Sequence, residues 1–95
     1  MSDAKLKLEG VVNIAKADAL HHEMEEILTK NSATVIDASE LQRIDTAVLQ
    51  LLASFMKSMS AANLSVSWGG VTDELIAAAK LLGLEQVLSL VPAES

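Results

Sequence analysis

Lys5-Leu6-Lys7-Leu8-Glu9 alternates polar and apolar side chains, the period of a half-buried strand. Gly10 supplies a turn signal, and Val11-Val12-Asn13-Ile14 reads as a second strand returning beside the first in a hairpin. From Asp18 the period changes: Leu20, Met24, Ile27 and Leu28 form one stripe of an amphipathic helix, with Asp18 as its N-cap and Asn31 at its end. Ala33 to Ile36 is short and β-branched and predicts a buried strand. A polar loop then leads to a helix over Thr46 to Ala61. Its apolar side is Val48, Leu51, Leu52, Phe55, Met56 and Met59; Thr46, Gln50, Ser54, Lys57 and Ser58 lie opposite, joined by the small Ala53 and Ala61. At about 100° per residue, Thr46 heads the outward stripe through Gln50, Ala53 and Lys57.

Asn63 closes that helix, Leu64-Ser65-Val66-Ser67-Trp68 alternates as a further strand, and Gly69-Gly70 ends it. Thr72 caps a third helix with Leu75, Ala79 and Leu82 facing inward, Asp73 and Glu74 favoured by the dipole of its first turn, and Gly83 as its stop. The order is β-β-α-β-α-β-α, with Val87-Leu88-Ser89-Leu90, before Pro92, as an optional last strand. Strands joined through helices imply a mostly parallel sheet. The expected architecture is therefore α/β: one domain over residues 1–95 with its core over about 5–90, a four- to five-stranded mixed sheet, and helices mainly on one face. Repeats, low-complexity tracts and linkers are absent from the sequence.

Composition narrows the function. Trp68 and Phe55 are the only aromatic residues, so the core is aliphatic. Thirteen acidic residues against seven basic leave a net charge of −6, which repels phosphate backbones and argues against nucleic acid as partner. A Lys/Arg cluster that would hold an anionic membrane is missing. With no cysteine, disulfides and thiolate metal sites are excluded. The first residues lack the basic-then-apolar pattern of a signal peptide and no apolar run approaches the roughly 20 residues of a membrane span, so a soluble cytoplasmic protein is expected.

Three constellations invite chemistry. His21-His22-Glu23-Met24-Glu25-Glu26 begins like a metalloprotease helix, but Glu26 stands where the second imidazole is required, so a solvated helix face is favoured and no metal site is assigned. Asp37, Glu40 and Asp45 lack an accompanying Lys, His or phosphate loop, and Gly69-Gly70 alone is a weak signal; turn chemistry explains these acids better than acid–base work. Asp45-Thr46 before an apolar helix has a plain reading as a cap and a sharper one as a switch. An exposed hydroxyl at a helix start makes a good phosphorylation site. A phosphate there would add close to two negative charges to a surface that a partner must desolvate.

Asp37-x-Ser39, five intervening residues, then Asp45-Thr46-Ala47 followed by Leu49 and Leu52 resembles the loop motif of STAS domains, found in sulfate transporters and anti-sigma factor antagonists. Leu64-Ser65-Val66 as a late strand and Leu75 to Leu84 ending in Leu-Gly-Leu also fit, so the likeness spans Leu6 to Leu88. The resemblance implies a STAS-like fold, stand-alone, without catalysis or cofactor. It implies that a serine/threonine kinase of the anti-sigma type phosphorylates Thr46, with Asp45 orienting the hydroxyl and Ser39 bracing the loop; a GHKL-type kinase, an anti-sigma partner or a related signalling protein is expected to dock on Asp37, Ser39, Asp45, Thr46, Gln50 and Lys57. Val48 departs from the family, which carries glycine there; the valine is expected to narrow partner choice or make Thr46 a poorer kinase substrate. Two subfamilies are similar: small STAS proteins encoded with chemotaxis signalling components, and the accessory STAS subunit of Mla-type lipid-transport ABC systems, which docks on the ATPase. The run Thr46-Ala47-Val48-Leu49-Gln50-Leu51-Leu52 favours the signalling group.

Overall fold

Gly10 has a left-handed backbone (φ 64°), yet it does not reverse the chain. The computed structural model of the protein describes residues 4–90, and in it Ala4–Val12 form one strand, β1. The expected hairpin is therefore replaced by a single strand. A tight two-residue hairpin takes two residues suited to its turn, whereas one glycine is enough for an irregularity that strand pairing can absorb. A single-turn 3-10 helix (Ile14–Lys16) leads into α1 (Ala17–Thr29), so Asp18 sits in the first turn of α1 rather than capping it. β2 (Thr34–Ile44) runs through the stretch expected to be a polar loop, because Ala38 and Leu41 continue the buried set begun by Ile36. Between Lys7 and Glu9, and again between Gly10 and Val11, β2 carries one more residue than β1, so two bulges keep both strands in step.

α2 (Thr46–Ala61), β3 (Val66–Gly70) and α3 (Asp73–Leu82) complete the order. The sheet among the described residues has three strands, β1-β2-β3, all parallel, in place of the four or five strands of a mixed sheet. Gly69 and Gly70 belong to β3 rather than ending it. The optional last strand is a pair of helical turns, with Leu88 N–H donating to Leu84 O (3.0 Å) and Leu90 N–H to Glu85 O (2.8 Å). Two leucines spaced by two look like a strand, but here both are buried from a turn, and the Trp68 indole donates to Leu88 O at 2.7 Å to hold it. Pro92 lies outside the described residues.

One apolar cluster joins the sheet to the helices: Leu6 and Leu8 from β1, Ile36 and Ala38 from β2, Met24 from α1, Leu49, Leu52 and Met59 from α2, Leu75 and Ala79 from α3. The opposite face of the sheet presents Lys5, Lys7, Ser67 and Gly69 to solvent. Two helix assignments differ from the sequence reading. Ala53 and Leu49 are buried, which widens the inner face of α2, and Leu82 is 38% exposed, because the chain turns away at Gly83 (φ 71°) one residue later. Thr72 caps α3 as expected, its Oγ1 accepting from Leu75 N–H at 3.4 Å.

Candidate functional site

β2 and the start of α2 carry the residues singled out by the sequence, in two groups. The first is built where β3 ends against β2. Asp37 Oδ1 accepts two hydrogen bonds from Ser39, one from its hydroxyl (2.7 Å) and one from its backbone N–H (3.0 Å), and Lys5 Nζ lies 3.9 Å from Oδ2. The Ser39 hydroxyl, then its N–H, then the nearby positive charge of Lys5 and Lys7 hold the Asp37 carboxyl below its ordinary value of 3.8. A carboxylate depressed in this way contributes stability above that ordinary value, and the contribution is lost as pH falls through the depressed one. Thermal melts in acid should therefore show a destabilisation of the wild type below pH 3.8 that Asp37→Asn lacks.

Gly70 belongs to this group, although from residue types alone it carries only a weak phosphate-loop signal. A Cβ at Gly70 would stand 2.8 Å from Ser39 Cβ and 3.5 Å from Asp37 Oδ1. No flexible side-chain end is available to move aside, so Gly70→Ala should cost about 1–3 kcal/mol through overpacking. Denaturant titration checks the stability, and the loss of the acid-dependent step just described checks that the Asp37–Ser39 pair is what moved.

The second group begins at Asp45, up to about 20 Å beyond Ser39 at the ordinary strand rise. Asp45 precedes α2, but its side chain makes no capping bond. Instead Oδ2 accepts the Ile14 N–H at 3.2 Å, while the Asp45 N–H donates to Val12 O at 3.1 Å. The carboxylate therefore does not cap the helix; it ties the start of α2 to the 3-10 turn, while the Asp45 N–H holds the end of β1. Thr46 follows as the first residue of α2 and is exposed, with Ala47, Gln50, Ser54, Lys57 and Ser58 exposed on the same helix. Thr46 and Lys57 are separated by about 16 Å at the helical rise. Val48 is fully buried, 0% exposed, so it faces the core and not the partner side. An effect of the valine on partner choice or on phosphorylation of Thr46 would therefore have to act through the packing beneath the helix. Asp37 and Ser39 are thus not gathered around Thr46; the strand places them at a separate station.

Among the described residues no group of three or more His, Asp and Glu side chains could hold a metal ion. His21 Nε2 lies 3.6 Å from Glu25 Oε2 on the exposed face of α1. No helix among the described residues is long and apolar enough to cross a membrane.

The parallel α/β architecture with an exposed threonine opening α2 agrees with a comparison against protein families, in which the family described as "Mlab, STAS domain" matches residues 1–92. The chain belongs to the STAS domain family. No protein of curated function is similar enough to count as a match. STAS domains are generally regulatory or binding modules that work by meeting other proteins. Within this STAS domain, sequence reasoning missed Ile14, whose backbone N–H donates to the Asp45 carboxylate and whose side chain stays exposed. The sequence pattern places Ile14 at the end of a strand, and the contact that fixes it comes from Asp45, 31 residues later.

Proposed function

We propose that this STAS domain is a non-enzymatic signalling module that docks an anti-sigma or GHKL-type serine kinase, or a related signalling protein, on the Thr46 face of α2, and that phosphorylation of Thr46 releases the partner. The observation that carries this reading is the position of Thr46: exposed, at the first turn of a helix whose outward side is small and uncharged except for Lys57. A phosphate there would bring close to two negative charges, which the helix N-terminus accommodates and a desolvated interface does not. Asp45 supports the reading because its carboxylate is engaged by Ile14 N–H, which fixes where the helix starts and so where the hydroxyl stands. On this reading the chain acts as one domain in the cytoplasm, as an antagonist in transcriptional or chemotaxis-linked signalling.

A second reading draws on the match to the family described as "Mlab, STAS domain": an accessory subunit of an Mla-type phospholipid-transport ABC complex, with the same face seated on the ATPase and no phosphorylated form. Affinity capture from the native lysate separates the two. Recovery of a GHKL-type kinase that, once purified, labels wild type from ATP but not Thr46→Ala supports the signalling module. Recovery of an ABC ATPase with its permease, and no labelling of Thr46, overturns it in favour of the transporter subunit.

A further inference from the structure

α3 buries Leu75 and Ala79 and leaves its opposite side to solvent. At about 100° per residue, Ala77 stands directly opposite that buried pair. Asp73 and Lys80 flank it on one side, Leu81 and Glu74 on the other, and all five are exposed. Leu81 is 87% exposed, more than Val11, Ile14, Val71 or Leu82. A single leucine in solvent is ordinary, so the pattern around it has to decide. Along the helix that outward strip runs from two acids, through a small residue, to a base and an aliphatic.

Such a strip complements itself when one copy is turned end over end. In an antiparallel pair with its two-fold axis at Ala77, each flank of one helix meets the same flank of the other. Lys80 lies about 4.5 Å beyond Ala77 along the helix and Asp73 about 6 Å before it. The two-fold therefore sets Lys80 of one copy beside Asp73 of the other, and does so twice. Neither residue has an ion-pair partner among the described residues. Ala77 meets Ala77 at the centre, where the small side chain lets the helices approach closely. Leu81 leans toward the N-terminus of its own helix, which carries it onto Ala77 of the other copy and the methylenes of its Glu74. Val71, 38% exposed before the Thr72 cap, comes to the Leu81 end of the other helix. On one molecule Val71 and Leu81 stand at opposite ends of α3; the pair gathers them.

We infer that the outward side of α3 is a self-association surface, and that its occupant is α3 of a second copy of this chain, packed antiparallel about Ala77. The inference goes beyond the docking reading and does not depend on it, since Thr46 opens a different helix. One helix face of this length is smaller than a standard interface, so the dimer is weak, with a Kd of about 10⁻⁵–10⁻³ M. The exposed ion pairs add little affinity and mainly fix the antiparallel direction.

Sedimentation equilibrium of the purified chain, from about 10 µM to about 2 mM, tests it. The expected result is a reversible monomer–dimer equilibrium that Leu81→Ser weakens by about tenfold. Charge reversal reads the geometry. Asp73→Lys alone and Lys80→Asp alone each set like charges against one another across the two-fold, and each should weaken the dimer by about tenfold. An equimolar mixture of those two proteins should associate as tightly as wild type, because each lysine of one then meets an aspartate of the other. All three side chains are exposed, so the variants should fold, and their melting curves check it. A chain that stays monomeric throughout the range leaves the strip to another protein and overturns the inference. A dimer indifferent to Leu81→Ser forms elsewhere and overturns it too. A mixture no tighter than the single variants overturns the antiparallel pairing.

Discussion

Thr46→Glu is expected to weaken binding of the partner protein by at least about tenfold, equivalent to ~1.4 kcal/mol, while the melting temperature stays near that of wild type. The two halves of this result have different causes. Thr46 opens α2, and a carboxylate in a first turn lies where the helix dipole favours negative charge, so the fold has no reason to suffer. The hydroxyl is exposed, so no buried packing is lost either. The interface, in contrast, would have to desolvate a new anion on a helix that carries no carboxylate from Thr46 to Ala61. Thr46→Ala is the companion measurement: it removes the hydroxyl without adding charge and should bind like wild type. Isothermal titration of the purified pair reads both variants. Equal affinity for Thr46→Glu and wild type would mean that negative charge at Thr46 does not control docking, and the switch would have to be abandoned. Because an ATPase seated on the same face would also be displaced, this measurement tests the surface, whereas labelling from ATP tests the kind of partner.

The parts of the structure that local rules govern were legible in the sequence. α2 begins and ends where its periodicity places it, Thr72 caps α3, and Gly83 stops it in the left-handed conformation, since each depends on residues within a turn of one another. What was not legible depends on a neighbour distant in sequence. Gly10 signals a turn by itself, and only the pairing of both halves of β1 with β2 makes it part of a continuous strand. Asp37 to Ile44 is polar enough to read as a loop; two bulges let it stay in the sheet while Ala38 and Leu41 remain buried. The site divides the same way. The exposure of Thr46 follows from helical geometry, but the destination of the Asp45 carboxylate could not, because Ile14 lies 31 residues earlier. Likewise the need for glycine at position 70 arises from Ser39 on another strand.

Val48→Gly is expected to destabilise the protein by about 3 kcal/mol, lowering the melting temperature by roughly 10–25 °C for a chain of this size. Glycine is the residue that the family resemblance places at this position, so a variant closer to the family should be the less stable one. The reason is burial. Val48 is 0% exposed within the cluster that also holds Leu49 and Leu52. Removing its side chain forfeits roughly 1.5–3 kcal/mol of burial, with a further term for the space left behind. Glycine in a helix adds up to about 1 kcal/mol, somewhat less in the first turn. None of these terms acts on Thr46, Gln50 or Lys57, which lie on the exposed side of α2. Calorimetry should therefore show the loss of stability, and binding measured well below the melting temperature should match wild type. The opposite pattern, an unchanged melting temperature with altered affinity, would mean that Val48 acts at the partner surface, and the division of α2 into a packing side and a docking side would be wrong.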